Sequence, residues 1–139
     1  MIILEEIKMD MLPQIEMSFI LTGQENWLEK ITNTLEIVPS HVKRKEEYKL
    51  TEFSNYMWEL TTGKQYSKSV NFQSQKILKM LKGKEKQIKY FVNHYKLKAD
   101  LLIIIHAQIG DGPEISLSQE IIKFAAEIAA EISFDIYYY

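Results

Sequence analysis

The run Leu101-Leu102-Ile103-Ile104-Ile105 is the most apolar stretch of the chain. Its length, its β-branched residues and the Gly-Asp-Gly-Pro breaker at 110–113 predict a buried strand. Because side chains alternate along a strand, the odd-numbered positions from 101 to 109 are expected to face the helices. The even-numbered positions of the run are apolar, but His106 and Gln108 continue that same face in polar form. The second face is therefore where we look first for function.

Other strands and helices are predicted from hydrophobic periodicity on both sides of this run. The long helical pattern begins at Ser69 or Asn71 as N-cap and is bent or divided at Gly83. Ser118 is placed to cap a later helix. The predicted strands cover 15–22, 56–62, 101–105, 114–117 and 133–139, and the predicted helices cover 24–35, 69–95 and 118–132.

The order β-α-β-α-β-β-α-β predicts an α+β fold. We expect a two-layer sandwich with a mainly antiparallel sheet of about five strands, helices packed on one face, and a ferredoxin-like arrangement. The strands at 101–105 and 114–117 are predicted to form a hairpin, and the polar residues 40–55 an exposed connection. The 139 residues suit a single domain, with 1–14 as an N-terminal extension of a core at 15–139.

Composition excludes several classes of protein. The chain has no cysteine, so a disulfide framework and a thiolate nucleophile are both absent. Glu5 and Glu6 interrupt any secretory signal at the N-terminus, and no apolar run reaches the roughly 20 residues of a transmembrane helix. We therefore expect a cytoplasmic protein that does not enter a membrane.

Charge is distributed unevenly along the chain, although the net charge is only −2. Residues 1–40 carry two lysines against seven acids, and residues 99–139 carry one lysine against seven acids. Residues 41–98 reverse the balance, with fourteen basic residues against five acidic ones. This division favours oriented association with a charged partner or with a second copy. A solvated surface with uneven patches is the alternative interpretation.

No motif for catalysis, cofactor binding or metal binding stands out. His41, His94 and His106 lie on three different predicted elements, and none of the HxH, HxxxH or HExxH spacings occurs. The turn at 110–113 lacks the G-x-G-x-x-G spacing of a phosphate loop, and Pro113 has no N–H to offer. We therefore expect no catalytic residue, no cofactor and no metal ion.

A lysine-rich helix face is the candidate for nucleic-acid binding, since clustered ammonium groups can follow a phosphate backbone. Only Tyr90 interleaves with these lysines, no arginine accompanies them, and the chain as a whole is acidic. The pattern therefore favours a solvated helix face and argues against nucleic acid as a partner. The lysines are Lys76, Lys79, Lys82, Lys86 and Lys89.

The sheet face turned away from the helices is the candidate interaction surface. It mixes apolar, aromatic and hydrogen-bonding side chains, and amphipathic aromatics contribute large contact areas in interfaces. A protein partner, a homodimer seam and plain solvent exposure all remain open for it. The candidate residues are Ile20, His106, Gln108, Asp135, Tyr137 and Tyr139.

Residues spread over 15–139 carry a family resemblance. They are Phe19, Ile20 and Gly23, Ile31, Leu35, Ile37 and Pro39, Lys43-Arg44-Lys45, Trp58 and Leu60, Leu117-Ser118, and Asp135-Ile136-Tyr137. At these positions the chain resembles a bacterial family known as domain of unknown function 4279. The family pattern has glycine at the positions of Glu36 and Glu46, where this chain departs from it. The resemblance implies a small α+β domain without assigned catalytic residues, and some members look like immunity proteins encoded beside bacterial toxins.

Two functions from different classes follow from these observations. The first is a non-enzymatic protein-interaction module, such as a toxin-immunity-type inhibitor, that binds through acidic patches or the sheet face. The alternative is a small-ligand-binding protein or enzyme with a pocket around His106, Asp135 and Tyr137, which adjacent strands can bring together.

Overall fold

The structure is a computed structural model that describes residues 12–47 and 55–139. Most of the predicted N-terminal extension and the end of the predicted connection at 48–54 lie outside these residues. The described part is an α+β fold with six strands and four helices. The strands are β1 (Gln14–Gly23), β2 (His41–Lys43), β3 (Tyr56–Thr61), β4 (Gln65–Tyr66), β5 (Lys98–Ala107) and β6 (Ala130–Tyr138), and the helices are α1 (Leu28–Leu35), α2 (Val70–Met80), α3 (Glu85–His94) and α4 (Gln119–Glu127).

The sheet is mixed, in the order β2-β3-β1-β5-β6, with β4 paired to the start of β1. β1 is antiparallel to β3, β4 and β5. β5 and β6 are parallel, and α4 is the crossover between them. The α+β class is therefore confirmed, but the ferredoxin-like order is not, and the sheet is not purely antiparallel.

The predicted hairpin between 101–105 and 114–117 is wrong. β5 already has β1 on one side and β6 on the other, so neither of its edges is available. Glu114 pairs instead with the segment before α2: its N–H donates to the Lys68 carbonyl at 2.8 Å, and its carbonyl accepts from Val70 at 3.1 Å. The turn after β5 does form, where Gln108 bridges to Asp111.

The predicted connection at 40–55 contains regular structure that its polar composition concealed. β2 is an edge strand in which His41 lies opposite Glu59. A short 3-10 helix at Lys45–Glu47 follows it. A three-residue strand is too short to show alternation, so periodicity could not reveal it.

The buried face of β5 is confirmed as the centre of the core as far as Ala107, but its predicted continuation to Ile109 is wrong, because Ile109 lies in the turn after β5 and is 78% exposed. Leu101, Ile103 and Ile105 are each 0% exposed. Their neighbours across β1 are Phe19, Met17 and Ile15, which are also fully buried. The four helices contact one another and pack on this one side of the sheet. The other side carries no described helix.

Polar side chains set the helix starts. The Ser69 hydroxyl accepts from Phe72 N–H at 3.3 Å, and the Ser118 hydroxyl accepts from Ile121 N–H at 3.3 Å, so both predicted caps are confirmed. Gly83 divides the long helical pattern into α2 and α3, as predicted. α1 begins at Leu28 and not at Gln24, because the Asn26 side chain accepts the Leu28 N–H at 3.1 Å.

Three of the helices are followed closely by a non-glycine residue in the left-handed backbone region. Glu36 (φ 56°) follows α1, Lys96 (φ 53°) follows α3, and Ala129 (φ 57°) follows α4. A side chain with a Cβ is strained in this region, and glycine is the usual occupant. Glu36 is also a position at which the family resemblance implies glycine.

We expect Glu36→Gly to raise the free energy of unfolding by about 1 kcal/mol, because it removes the strain of a Cβ in the left-handed region. Glu36 is exposed, so few side-chain contacts are lost. Urea denaturation measures the change. Glu36→Ala is the control: it retains a Cβ, so a gain of the same size in that variant would show that strain is not the cause.

Candidate functional site

The side of the sheet that carries no helix of the described residues, called the open face below, is formed by the alternate side chains of its strands. Strand register places them in rows that cross the sheet, with Glu16 beside Ile104 and Ile104 beside Asp135 in one row. The next row joins Tyr66, Gln14, His106 and Tyr137. The open face consists of Gln14, Glu16, Ser18, Ile20, Thr22, His41, Lys43, Met57, Glu59, Thr61, Tyr66, Lys98, Asp100, Leu102, Ile104, His106, Glu131, Ser133, Asp135 and Tyr137.

One end of the open face is an aromatic cluster around His106. The rings of His106 and Tyr137 are stacked, with centroids 5.0 Å apart and planes at 14°. The Tyr139 ring lies 5.9 Å from His106, and its hydroxyl is 2.9 Å from His106 Nδ1. Tyr66 of β4 lies on the same face, separated from His106 by Gln14. Planar rings held in this way present a rigid surface to a partner.

The middle of the open face is apolar. Ile20, Leu102 and Ile104 are each half-buried there, on β1 and β5. The small Ser18 lies between Leu102 and Thr61 and is fully buried. Half-buried aliphatic side chains at the centre of a sheet face still hold apolar surface that a partner can cover.

Carboxylates surround this apolar centre, and hydroxyl or ammonium groups hold several of them. Glu16 accepts a hydrogen bond from the Thr61 hydroxyl at 2.8 Å. Asp100 accepts from the Ser133 hydroxyl at 2.9 Å. Glu131 lies 3.4 Å from the Lys98 ammonium group, although both side chains remain well exposed. Glu59 and Asp135 add two further acids. The lysines on this face are Lys43 and Lys98, so its charge is acidic on balance, with five carboxylates against two ammonium groups.

His106 is held in its neutral form. Burial is the main cause that lowers the pKa of its imidazole, the positive charge of Lys64 lowers it further, and Glu16 opposes both. The Tyr139 hydroxyl can donate to Nδ1 of the neutral ring. A neutral imidazole stacked on a tyrosine adds hydrogen-bonding capacity to the aromatic cluster without adding positive charge.

We expect an NMR titration to give His106 a pKa below the ordinary 6.5. The unfolded chain then binds more protons than the folded one as pH falls below about 6.5, so the contribution of His106 to stability is complete above that pH and declines below it. His106→Gln should remove this part of the pH dependence of the free energy of unfolding. An unchanged dependence in that variant would contradict the expectation.

The remaining candidate residues lie outside the aromatic cluster around His106. Ile20 is on the open face, but toward the opposite end from His106. Gln108 follows β5 in the turn, beyond the last paired row. His41 is exposed on β2, and His94 is exposed on α3, where it stacks on Tyr90. Within 12–47 and 55–139, no three of His, Cys, Asp and Glu converge as a metal ion requires.

Sequence reasoning missed part of the open face. Asp100 was overlooked because it precedes the apolar run. Strand parity extended by one residue places it on the open face, and the register with β1 then sets it beside Ile20. Tyr66 could not be found, because a two-residue strand has no period and its pairing with β1 depends on the tertiary fold.

Hollows of the surface occur elsewhere in the fold. One of about 280 Å³ lies between the β1–α1 loop and the end of α3, where Trp27 stacks on Tyr95 at 4.0 Å. Another, of about 570 Å³, lies between α2, α3 and α4 beside Lys79 and Lys82. Neither is lined by open-face residues, so the open face is a site on the surface of a sheet and does not coincide with either hollow. Surfaces of this kind suit macromolecules better than small ligands.

These features define a class of protein: a small α+β domain in which one sheet face is packed on helices and the other carries no helix within 12–47 and 55–139. The domain of unknown function family (DUF4279) has a model that matches residues 13–139, nearly the whole chain, and the chain belongs to that family. Searches of curated proteins and of solved structures each gave no match. Among the described residues, no helix is both long enough and apolar enough to cross a membrane.

Proposed function

We propose that this chain is a non-enzymatic binding protein whose open face engages a basic surface of another protein, as a toxin-immunity-type inhibitor would. The observation that carries the proposal is the arrangement of the open face, in which half-buried aliphatic side chains lie inside an acidic rim. Protein interfaces have this anatomy, with an apolar centre and a polar rim. The acidic rim specifies the charge of the partner.

The distribution of charge over the two sides of the molecule supports the same function. Lys79, Lys86 and Lys89 are exposed on α2 and α3, and Lys82 is exposed in the turn between them, on the helix side of the sheet. The acids Glu16, Asp100 and Asp135 are on the opposite side. A basic partner is attracted to one side and repelled by the other, so the field of the domain orients the encounter.

Co-expression with the products of adjacent genes, followed by affinity capture, tests the proposal. We expect one of those products to be retained, and Ile104→Lys to abolish its retention because a cation is placed at the centre of the open face. Ile122→Lys is the matched control, since Ile122 is exposed on α4. Equal loss in both variants, or capture of no adjacent product, would count against the open face as the binding site.

A small-molecule ligand is the alternative that the stacking of His106 on Tyr137 favours. Asp135 lies one row away on the same face. A metabolite screen by thermal shift distinguishes the two functions. A compound that raises the melting temperature of the native chain but not of His106→Ala would support the ligand site and displace the first proposal.

A further inference from the structure

Among the described residues, the backbone groups on the outer edge of β6 have no partner strand. β6 runs for nine residues and pairs with β5 along its length. No other strand of the described chain borders it, whereas the opposite edge of the sheet is the three-residue β2. A long edge strand presents a row of N–H and C=O groups ready for another strand.

Side chains at this edge are also left uncovered. Phe134, Ile136 and Tyr138 lie on the helix side of β6, yet they are 38%, 40% and 54% exposed. Their neighbours Ile103, Ile105 and Ala107 on β5 are 0% exposed. The helix layer therefore covers β5 and stops short of the outer half of β6. The strand contains no lysine and no proline, which commonly protect such edges, and its two charged residues, Glu131 and Asp135, are both on the open face.

From these observations we infer that β6 pairs antiparallel with β6 of a second copy, so that two sheets become continuous across a two-fold axis. The inference concerns the edge of the sheet, and it is independent of the function proposed for the open face. A two-fold axis perpendicular to the sheet keeps both helix layers on one side. It also requires that residues directly opposite each other are both even-numbered or both odd-numbered, because only such residues lie on the same face of the sheet.

Length and charge select one register. Centring the axis on Phe134 pairs all nine residues of β6, from Ala130 against Tyr138 through Phe134 against itself. Centring it on Asp135 brings two carboxylates together and shortens the pairing. Centring it on Ser133 places Glu131 opposite Asp135, again like charges. Like charges directly opposite each other destabilise a sheet, so the register on Phe134 is favoured.

The selected register also complements the exposed side chains. On the helix side it brings Phe134 against its own copy and Ile132 against Ile136, so the uncovered apolar groups cover one another. On the open face it sets Tyr137 beside the second copy's Glu131. The second copy therefore contributes a carboxylate next to the aromatic cluster around His106, and the two open faces join into one surface.

Light scattering of the native chain over a range of micromolar concentrations is the first test. We expect a mass that approaches twice that of the single chain. A monomer at every concentration would overturn the inference. Species larger than a dimer would also overturn it. They would indicate a head-to-tail contact, such as one between acidic and basic sides, which does not stop at two copies as a two-fold interface does.

Cysteine cross-linking then tests the register, because the chain has no cysteine of its own. In this register the Cα atoms of the two cysteines in the Phe134→Cys variant are about 4.5–5.5 Å apart. This separation is within disulfide range, so oxidation should give a covalent dimer. Ile136→Cys is the control: its two copies are offset by four residues, about 13 Å, and should not cross-link alone.

Mixing Ile132→Cys with Ile136→Cys provides a second measurement that does not depend on the Phe134 variant. We expect cross-linked dimers in the mixture and none in either variant by itself. Circular dichroism verifies that each variant is folded. Cross-linking of Ile136→Cys alone, or no cross-linking in the mixture, would rule out this register.

Discussion

Replacing Ile103 with alanine is expected to lower the free energy of unfolding by about 2–5 kcal/mol, the range for deleting a fully buried aliphatic side chain. Ile103 is 0% exposed and lies between Met17 and Phe134 in the sheet. Few neighbours can move into the space that it leaves, because both strands beside it are fixed by their own hydrogen bonds. The loss therefore includes a cavity as well as the buried apolar area.

Ile104→Ala is the matched control, since it makes the same change one residue further along the same strand. Ile104 faces the other way, between Glu16 and Asp135, and is only half-buried. We expect it to cost about 1 kcal/mol or less, because solvent already reaches its side chain. Urea denaturation followed by circular dichroism measures both. Equal losses would show that both faces of β5 are covered, which would contradict an open face.

The parts of the fold that sequence could predict are those set by local pattern. β1 and β3 each alternate for six residues or more, so their buried faces follow from the side-chain period. β5 is apolar on both faces from 101 to 105, and its outer face was predicted from His106, which continues the even-numbered face in polar form. Ser69, Ser118 and Gly83 act through their own backbone neighbourhoods, and their predicted roles are confirmed. Such signals do not depend on where the rest of the chain lies.

The parts that sequence could not predict are those set by pairing over long distances. The hairpin at 114–117 agreed with the turn before it, but β6 occupied the edge of β5 that such a hairpin needs. β5, α4 and β6 form a parallel crossover, in which the helix returns the chain to the end of the sheet where β5 began. The predicted hairpin gave β5 the wrong partner, so the parallel pairing of β5 with β6 was not predicted. The expectation of antiparallel pairing is therefore wrong for these two strands.

The candidate site also combines features that local pattern predicts with features that depend on strand pairing. Strand parity placed His106 and Tyr137 on one face, but only the register of β5 with β6 makes them neighbours. The same register brings Asp135 beside Ile104 and not beside His106. The open face is therefore wider and more acidic than its predicted residues indicated, because Asp100 and Glu16 belong to it.

Replacing Trp58 with alanine is expected to lower the free energy of unfolding by about 3–5 kcal/mol. Trp58 is 0% exposed on β3, and its ring meets Phe19 edge-on with centroids 6.1 Å apart. Its indole N–H donates to the Thr32 hydroxyl of α1 at 3.0 Å. The side chain therefore joins α1 to the sheet by both packing and a hydrogen bond, and alanine removes both.

Trp27→Ala is the control, since Trp27 is the second of the two tryptophans and is only partly buried. It stacks on Tyr95 at the surface, so we expect a clearly smaller loss than at Trp58. Each variant leaves one tryptophan, and fluorescence should show that Trp58 alone emits at shorter wavelength than Trp27 alone. Thr32→Val separates the two contributions: it leaves the indole N–H without its acceptor and should cost about 1–3 kcal/mol. If Thr32→Val cost nothing, packing against Phe19 alone would account for the role of Trp58.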